Sequence, residues 1–203
     1  MENELSKENI KKLLEIEVKS RGVSLKTDME FILKEKGEEG LKKLEDELEK
    51  LECPIKFKEI KSMEFYPAGL RVISLLAIKK VFNFNENNFR QMGLFATKVS
   101  LIIKFFMEYF FSIQKVFFEE APKIWRKYWT TGEIVPVELN EEKKYGILRL
   151  KGIDLHPIFC TFYLAGYFSG ILQMLVKTSE ITCEEVKCSF RGDKEHEYLI
   201  KWK

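Results

Sequence analysis

Histidine is nearly absent from this sequence, and its scarcity limits the chemistry that the chain can perform. The 203 residues contain two histidines, His156 and His196, and neither follows a Gly-x-Ser-x-Gly nucleophile motif. The sequence also lacks a Walker loop and a Gly-x-Gly-x-x-Gly motif, which are the usual phosphate-binding signatures. We therefore predict that the protein is not an enzyme.

Cysteine and net charge are also low. Four cysteines in a chain of this length form neither a disulfide scaffold nor a full zinc-ribbon set, so we expect reduced thiols. The 34 Lys and Arg nearly balance the 32 Asp and Glu, which does not indicate a nucleic-acid partner. The charged segment over residues 1–12 has no apolar core of a signal peptide. These features predict a cytoplasmic protein.

Residues 1–62 are rich in Lys and Glu and are predicted to form a helical lead-in, packed on the same domain as residues 63–203. Leu41, Leu44, Leu48 and Leu51 recur there at helical spacing. This pattern fits either a coiled-coil seam or an amphipathic helix packed on its own domain, and the short length favours the second.

Phenylalanine is abundant, and ten of the 17 lie between Phe82 and Phe118. Apolar residues recur at three- and four-residue steps over residues 89–118, which predicts one long helix. Such a stripe is typical of a core helix, but ligand pockets use the same residue types, and both interpretations stay open. The residues predicted to line a pocket are Phe95, Val99, Ile102, Phe106, Phe110, Trp125 and Trp129.

The segment from Leu155 to Val176 is 22 residues long and carries no Asp, Glu, Lys or Arg. Its length fits a transmembrane helix, whereas Pro157 at the first turn and three polar side chains favour a buried helix. We predict the buried helix and no membrane span. Gly166 and Gly170 would then allow another element to approach closely.

The C-terminal tail is predicted to be a hairpin in which Cys188 and His196 are symmetric about Gly192. Residues paired in this way face each other about 5 Å apart. Glu185 needs a β-bulge or a position at the strand entry to reach the same face, and Cys160 is the candidate for a fourth ligand. Thiolate, carboxylate and imidazole all bind zinc, so we predict a structural zinc on these four residues. The alternative is buried thiols beside an exposed histidine.

Two motifs carry a resemblance to a known family: Cys160-x5-Gly166-Tyr167-x-Ser169-Gly170 and Glu185-x2-Cys188-x3-Gly192-x3-His196. The chain resembles the 4-vinyl-reductase-like small-molecule-binding domain, which also forms the sensory part of phenol- and toluene-responsive transcriptional activators. The wider superfamily includes TRAPP-type vesicle-tethering subunits and haem-nitric-oxide-binding domains. In aromatic-sensing members, four residues of this pattern hold a structural zinc, and here His196 replaces the last cysteine.

The resemblance implies an α+β fold in which an antiparallel sheet packs against long helices, with an apolar cavity between them. It also implies non-catalytic binding or sensing of a small hydrophobic or aromatic molecule. A TRAPP-like scaffold that dimerises without a ligand is the alternative, and a haem-based sensor is the third hypothesis. The implied partners are a small apolar ligand and either a second copy of the chain or a signalling protein.

Overall fold

The second half of the chain is built on a four-stranded antiparallel sheet. From one edge to the other, its strands are Glu133–Asn140, Tyr145–Lys151, His196–Trp202 and Ile181–Lys187. In the computed structural model, residues 4–99 and 112–203 are described. They form two compact units, Met1–Asn88 and Phe89–Lys203. The division of the domains after residue 62 stays a prediction, although the contacts group residues 63–88 with the first unit.

The first unit consists of helices and one small strand pair. Its elements, with α4 entering the second unit, are α1 (Lys7–Leu14), β1 (Lys19–Arg21), α2 (Val23–Lys50), a 3-10 turn (Phe57–Glu59), β2 (Phe65–Pro67), α3 (Ala68–Phe82) and α4 (Glu86–Val99). Helix α2 bends at Gly37, whose φ of 67° is in the left-handed region that glycine tolerates. Leu41, Leu44 and Leu48 are buried within the unit, as expected for the apolar face of an amphipathic helix.

A buried ion pair joins two helices of the first unit. Arg71 Nε and Nη2 on α3 donate to the two carboxylate oxygens of Asp28 on α2, at 2.8 and 3.1 Å. The side chains are 6% and 1% exposed. This two-point geometry satisfies both carboxylate oxygens away from water, as a buried charge requires.

The second unit follows the predicted strand pairs. Its remaining elements are α5 (Ile113–Lys115), a π-helical turn (Val116–Glu120), α6 (Ala121–Tyr128), β3 (Glu133–Asn140), β4 (Tyr145–Lys151), a π-helical stretch (Ile158–Tyr163), α7 (Leu164–Val176), β5 (Ile181–Lys187), a 3-10 turn (Ser189–Arg191) and β6 (His196–Trp202). Strands β3 and β4 pair antiparallel, as do β5 and β6, so both sequence-predicted hairpins are confirmed. The α+β fold class is confirmed as well.

Glycines bring α4 and α7 into backbone contact within the second unit. A Cβ atom at Gly166 would lie 1.9 Å from the carbonyl oxygen of Arg90, and one at Gly93 would lie 2.0 Å from that of Tyr163. At Gly170 it would lie 2.3 Å from Oγ1 of Thr97. The close approach predicted for Gly166 and Gly170 is therefore confirmed, and α4 is the approaching element.

Within residues 4–99 and 112–203, one helix, Ile158–Val176, is long and apolar enough by length and composition to cross a membrane. Just over half of its apolar window, 56%, is buried inside the protein. Core helices of soluble proteins also pass this test, so the helix is weak evidence for a membrane span.

Candidate functional site

Polar side chains from the terminal hairpin and from the segment before it form a group that is buried at its centre. We call it the polar cluster: Asp154, Cys160, Thr161, Glu185, Cys188, Ser189 and His196. Ligand atoms of Glu185, Cys188 and His196 lie within 4.8 Å of one another. Cys160 is close enough to His196 to affect its pKa, but it is not one of these three residues. The structure thus groups the ligand atoms of three of the four predicted residues, and the four-residue site stays a prediction.

A β-bulge makes this grouping possible. The pairing of β5 with β6 runs from Lys187 opposite Glu197 to Glu185 opposite Tyr198, so the register shifts by one residue between Glu185 and Lys187. The extra residue turns the Glu185 side chain toward the face that holds His196. This is the bulge that the spacing of Glu185 and Cys188 required.

His196 is the centre of the polar cluster. Its Nδ1 donates to Glu185 Oε1 at 2.6 Å, and its Nε2 lies 3.1 Å from Asp154 Oδ1 and 3.0 Å from Ser189 Oγ. Thr161 Oγ1 donates to the second oxygen of Glu185 at 2.7 Å. Both ring nitrogens of His196 therefore face carboxylates, an arrangement that suits the doubly protonated ring.

The hydrogen bonds shift the ionisation of the central pair. Burial opposes the charged form of His196, but hydrogen bonds with Cys160 and Glu185 outweigh it and raise the pKa of His196 to about 11. Burial alone would raise the pKa of Glu185, yet hydrogen bonds from His196, Thr161 and Cys188 lower it below its usual range. Both shifts favour the charged forms of the pair, which are imidazolium for His196 and carboxylate for Glu185.

This ionisation decides what the cluster can do chemically. Ser189, His196 and Glu185 have the spacing of a hydrolytic triad, but a triad needs a neutral imidazole that accepts the serine proton. A charged imidazole donates from both nitrogens and does not activate Ser189. The arrangement supports a role in holding the hairpin rather than in nucleophilic catalysis.

A second feature is a row of four aromatic rings in the same unit, which we call the aromatic row: Trp125, Trp129, Phe159 and Tyr163. Trp125 and Trp129 stack with ring centroids 5.0 Å apart and 10° between their planes. Phe159 lies 5.3 Å from Trp129 and 5.8 Å from Tyr163. All four are buried. The row supplies flat apolar surface of the kind that binds small molecules.

The predicted pocket residues are placed only in part. Trp125 and Trp129 lie together in the aromatic row. Phe95 and Val99 lie on α4 and are half-buried. Ile102, Phe106 and Phe110 lie outside the described residues.

Sequence reasoning missed three members of the polar cluster, which are Asp154, Thr161 and Ser189. Each is next to, or a few residues from, a predicted member of the cluster, but no spacing rule singles it out. Asp154 is 59% exposed and closes the cluster toward solvent.

No family model and no curated protein sequence matches this chain. Solved structures do match in three dimensions. An H-NOX protein from S. oneidensis in the Fe(II)NO ligation state has a TM-score of 0.69 at 14% identity, over 90% of this chain and 99% of that one. The chain shares the H-NOX fold. An Fe(II) unliganded H-NOX protein from K. algicida has a TM-score of 0.62 at 11% identity, over 90% and 96% of the two chains.

These comparisons confirm the haem-nitric-oxide-binding side of the resemblance at the level of the fold. The 4-vinyl-reductase-like and TRAPP-type assignments stay predictions. A third similar structure is described by the words "Modulating Heme Redox Potential Through Protein-Induced Porphyrin Distortion", with a TM-score of 0.61 at 13% identity over 90% and 99% of the two chains.

The prediction of zinc as the cofactor is wrong. The similar structures name Fe(II) and haem, and not zinc. In the structure the two nitrogens of His196 lie beside the carboxylates of Glu185 and Asp154.

The histidines of this chain do not fit a haem site either. An axial histidine presents an unprotonated ring nitrogen to the iron. His196 is the charged centre of the polar cluster, and His156 Nδ1 accepts a hydrogen bond from the Ile158 amide at 3.1 Å. The fold is that of haem proteins, but these two side chains are engaged within the protein itself.

Proposed function

We propose that the protein is a non-catalytic domain that binds or senses a small, neutral, hydrophobic or aromatic molecule. The observation that carries this proposal is the buried aromatic row, in which each of the four large rings contacts the next. Similar structures with bound NO show that this fold accommodates small molecules in other proteins. We further propose that the protein is cytoplasmic.

The ligand-binding surface that we propose consists of the seven predicted pocket residues, of which four are described and three lie in the undescribed segment. Trp125 and Trp129 form its described aromatic part, and Phe95 and Val99 contribute from α4. Ile102, Phe106 and Phe110 are included on the basis of the sequence pattern. Apolar walls favour neutral ligands, because an unpaired charge is costly to bury.

The described surface offers a contrasting groove that does not suit such a ligand. A groove of about 240 Å³ in the first unit includes Glu38, Lys42, Glu45 and Lys58 in its lining. Lys58 and Glu38 pair across it at 2.9 Å. Its charged lining favours water and ions over an aromatic hydrocarbon.

The test is a titration of the purified full chain with toluene, with benzoate as the charged control. Toluene should raise the melting temperature with increasing concentration, as expected for a ligand that binds only the folded state. Benzoate should leave the melting temperature unchanged. Trp129→Ala should reduce the response to toluene, whereas Trp202→Phe should retain it.

The scaffold hypothesis predicts a different outcome. If neither toluene nor larger aromatic hydrocarbons shift the melting temperature, and native mass spectrometry shows a ligand-free dimer, the scaffold replaces the sensor. Elemental analysis of the same sample tests whether the protein carries iron.

A further inference from the structure

The indole nitrogen of Trp125 is a buried donor without an acceptor among the described residues. The side chain is 6% exposed, and Nε1 has no hydrogen-bond partner. A buried Trp N–H group usually has one, because leaving it unpaired costs about 1–3 kcal/mol. This donor is therefore an exception that requires a physical explanation.

The nearest rings do not supply an acceptor. Trp125 stacks on Trp129, whose own indole nitrogen is also a donor only, and Trp129 contacts Phe159, which has no polar side-chain atom. A bound water would need two to four polar partners, and neither of these two rings offers an acceptor. Trp129 and Phe159 therefore present aromatic surface, and not an acceptor, on this side of the Trp125 ring.

From this geometry we propose that Trp125 Nε1–H is the specificity-determining donor of the ligand site and that the ligand is a neutral aromatic molecule with one hydrogen-bond acceptor, of the aryl ketone or aldehyde class. The ring of such a molecule packs against the aromatic row, and its carbonyl oxygen accepts the proton of Trp125 Nε1. The inference rests on the proposed function and narrows its ligand class.

A matched pair of ligands separates the hydrogen bond from the packing. Acetophenone and α-methylstyrene have nearly the same shape, but the carbonyl oxygen of the first is a methylene group in the second. The wild-type protein should bind acetophenone about three- to tenfold more tightly, as a net hydrogen bond supplies. Equal affinity for both would overturn the inference while leaving the proposed function intact.

Two variants test whether the preference for acetophenone over α-methylstyrene comes from Trp125. Trp125→Phe keeps an aromatic ring but removes the donor, so its ratio of the two affinities should fall to about one while α-methylstyrene still binds. Trp202→Phe is the matched control and should keep the wild-type ratio. A preference that survives in Trp125→Phe would contradict the assignment. Failure of the wild-type protein to bind either compound would contradict the proposed function itself.

An independent measurement follows the donor directly. In protein labelled with ¹⁵N at tryptophan, three indole signals are expected, and Trp125→Phe identifies the one from Trp125. Acetophenone should shift the Nε1 proton of Trp125 downfield, and α-methylstyrene should not. A proton that is already at the hydrogen-bonded position without ligand would also overturn the inference.

Discussion

The two compact units bury their charges in different ways. In the first unit, Arg71 and Asp28 form a closed pair in which each carboxylate oxygen receives one guanidinium donor. In the second unit, Glu185 and His196 are also almost fully buried, but their pair extends through Asp154 to solvent. The pair of Arg71 and Asp28 joins helices α2 and α3. The second arrangement is a network whose charge depends on the protonation of His196.

The largest expected effect comes from breaking the closed pair. Asp28→Ala removes the carboxylate that pairs with the buried Arg71 guanidinium and should lower the free energy of unfolding by about 3–5 kcal/mol. Urea denaturation followed by circular dichroism measures this loss. The double variant Asp28→Leu with Arg71→Met removes both charges and should be far less destabilised. Equal losses in the two proteins would show that packing, not the unpaired charge, dominates.

The network should be less sensitive to loss of one charge, because other acceptors remain. Glu185→Gln leaves Asp154 beside His196 and should destabilise the protein by about 1–3 kcal/mol. The pKa of His196 should fall, which NMR titration of its ring measures. Glu184→Gln, on the exposed face of the same strand, is the control and should change stability by less than about 0.5 kcal/mol. An unchanged His196 titration in Glu185→Gln would refute the role of this carboxylate.

The network should also make stability depend on pH. The folded-state pKa of His196, about 11, lies above its ordinary value of 6.5, so its contribution is complete below pH 6.5 and is lost as the pH rises toward 11. The loss is at most about 1.4 kcal/mol per pH unit. The lowered pKa of Glu185 acts in the opposite direction, and its contribution is lost as the pH falls through its folded pKa. Thermal melts from pH 4 to pH 10 should therefore show greatest stability in the weakly acidic range. Stability that rises steadily from pH 7 to pH 10 would contradict this account.

The smallest loss of stability is expected for an ion pair that is exposed to water. Lys58 and Glu38 are 2.9 Å apart, but their side chains are 63% and 72% exposed. Lys58→Ala should change the free energy of unfolding by less than about 0.5 kcal/mol, since water already solvates both charges. A loss close to that of Asp28→Ala would mean that burial does not govern these differences.

The sequence predicts much of the second unit because its pairing rules are local. The symmetry of Cys188 and His196 about Gly192 follows from hairpin register, and the bulge at Glu185 follows from a three-residue spacing that a flat strand does not allow. Asp154 and Thr161 are harder to predict, since they come from segments whose approach depends on tertiary packing.

The buried pair of the first unit was also missed, although the sequence carries a signal. Arg71 is the only charged residue in the apolar run from Ala68 to Ile78. A charge in such a run requires a buried partner, but spacing does not identify it, and Asp28 lies 43 residues earlier. The zinc prediction failed for a different reason, because residue types and spacing that suit zinc do not identify the cofactor of a fold, and the similar structures name Fe(II) and haem.

The π-helical stretch Ile158–Tyr163 determines the direction in which the side chains of the following helix point around its axis. A π-turn contains one more residue than an α-turn, and one residue rotates the direction of a side chain by about 100°. Within this stretch, Phe159 and Tyr163 join the aromatic row while Cys160 and Thr161 join the polar cluster. Removal of one residue would restore an ordinary α-turn and rotate Gly166 and Gly170 away from α4. Because of this wide turn, one helical segment contributes side chains to the aromatic row and to the polar cluster and still places Gly166 and Gly170 against α4.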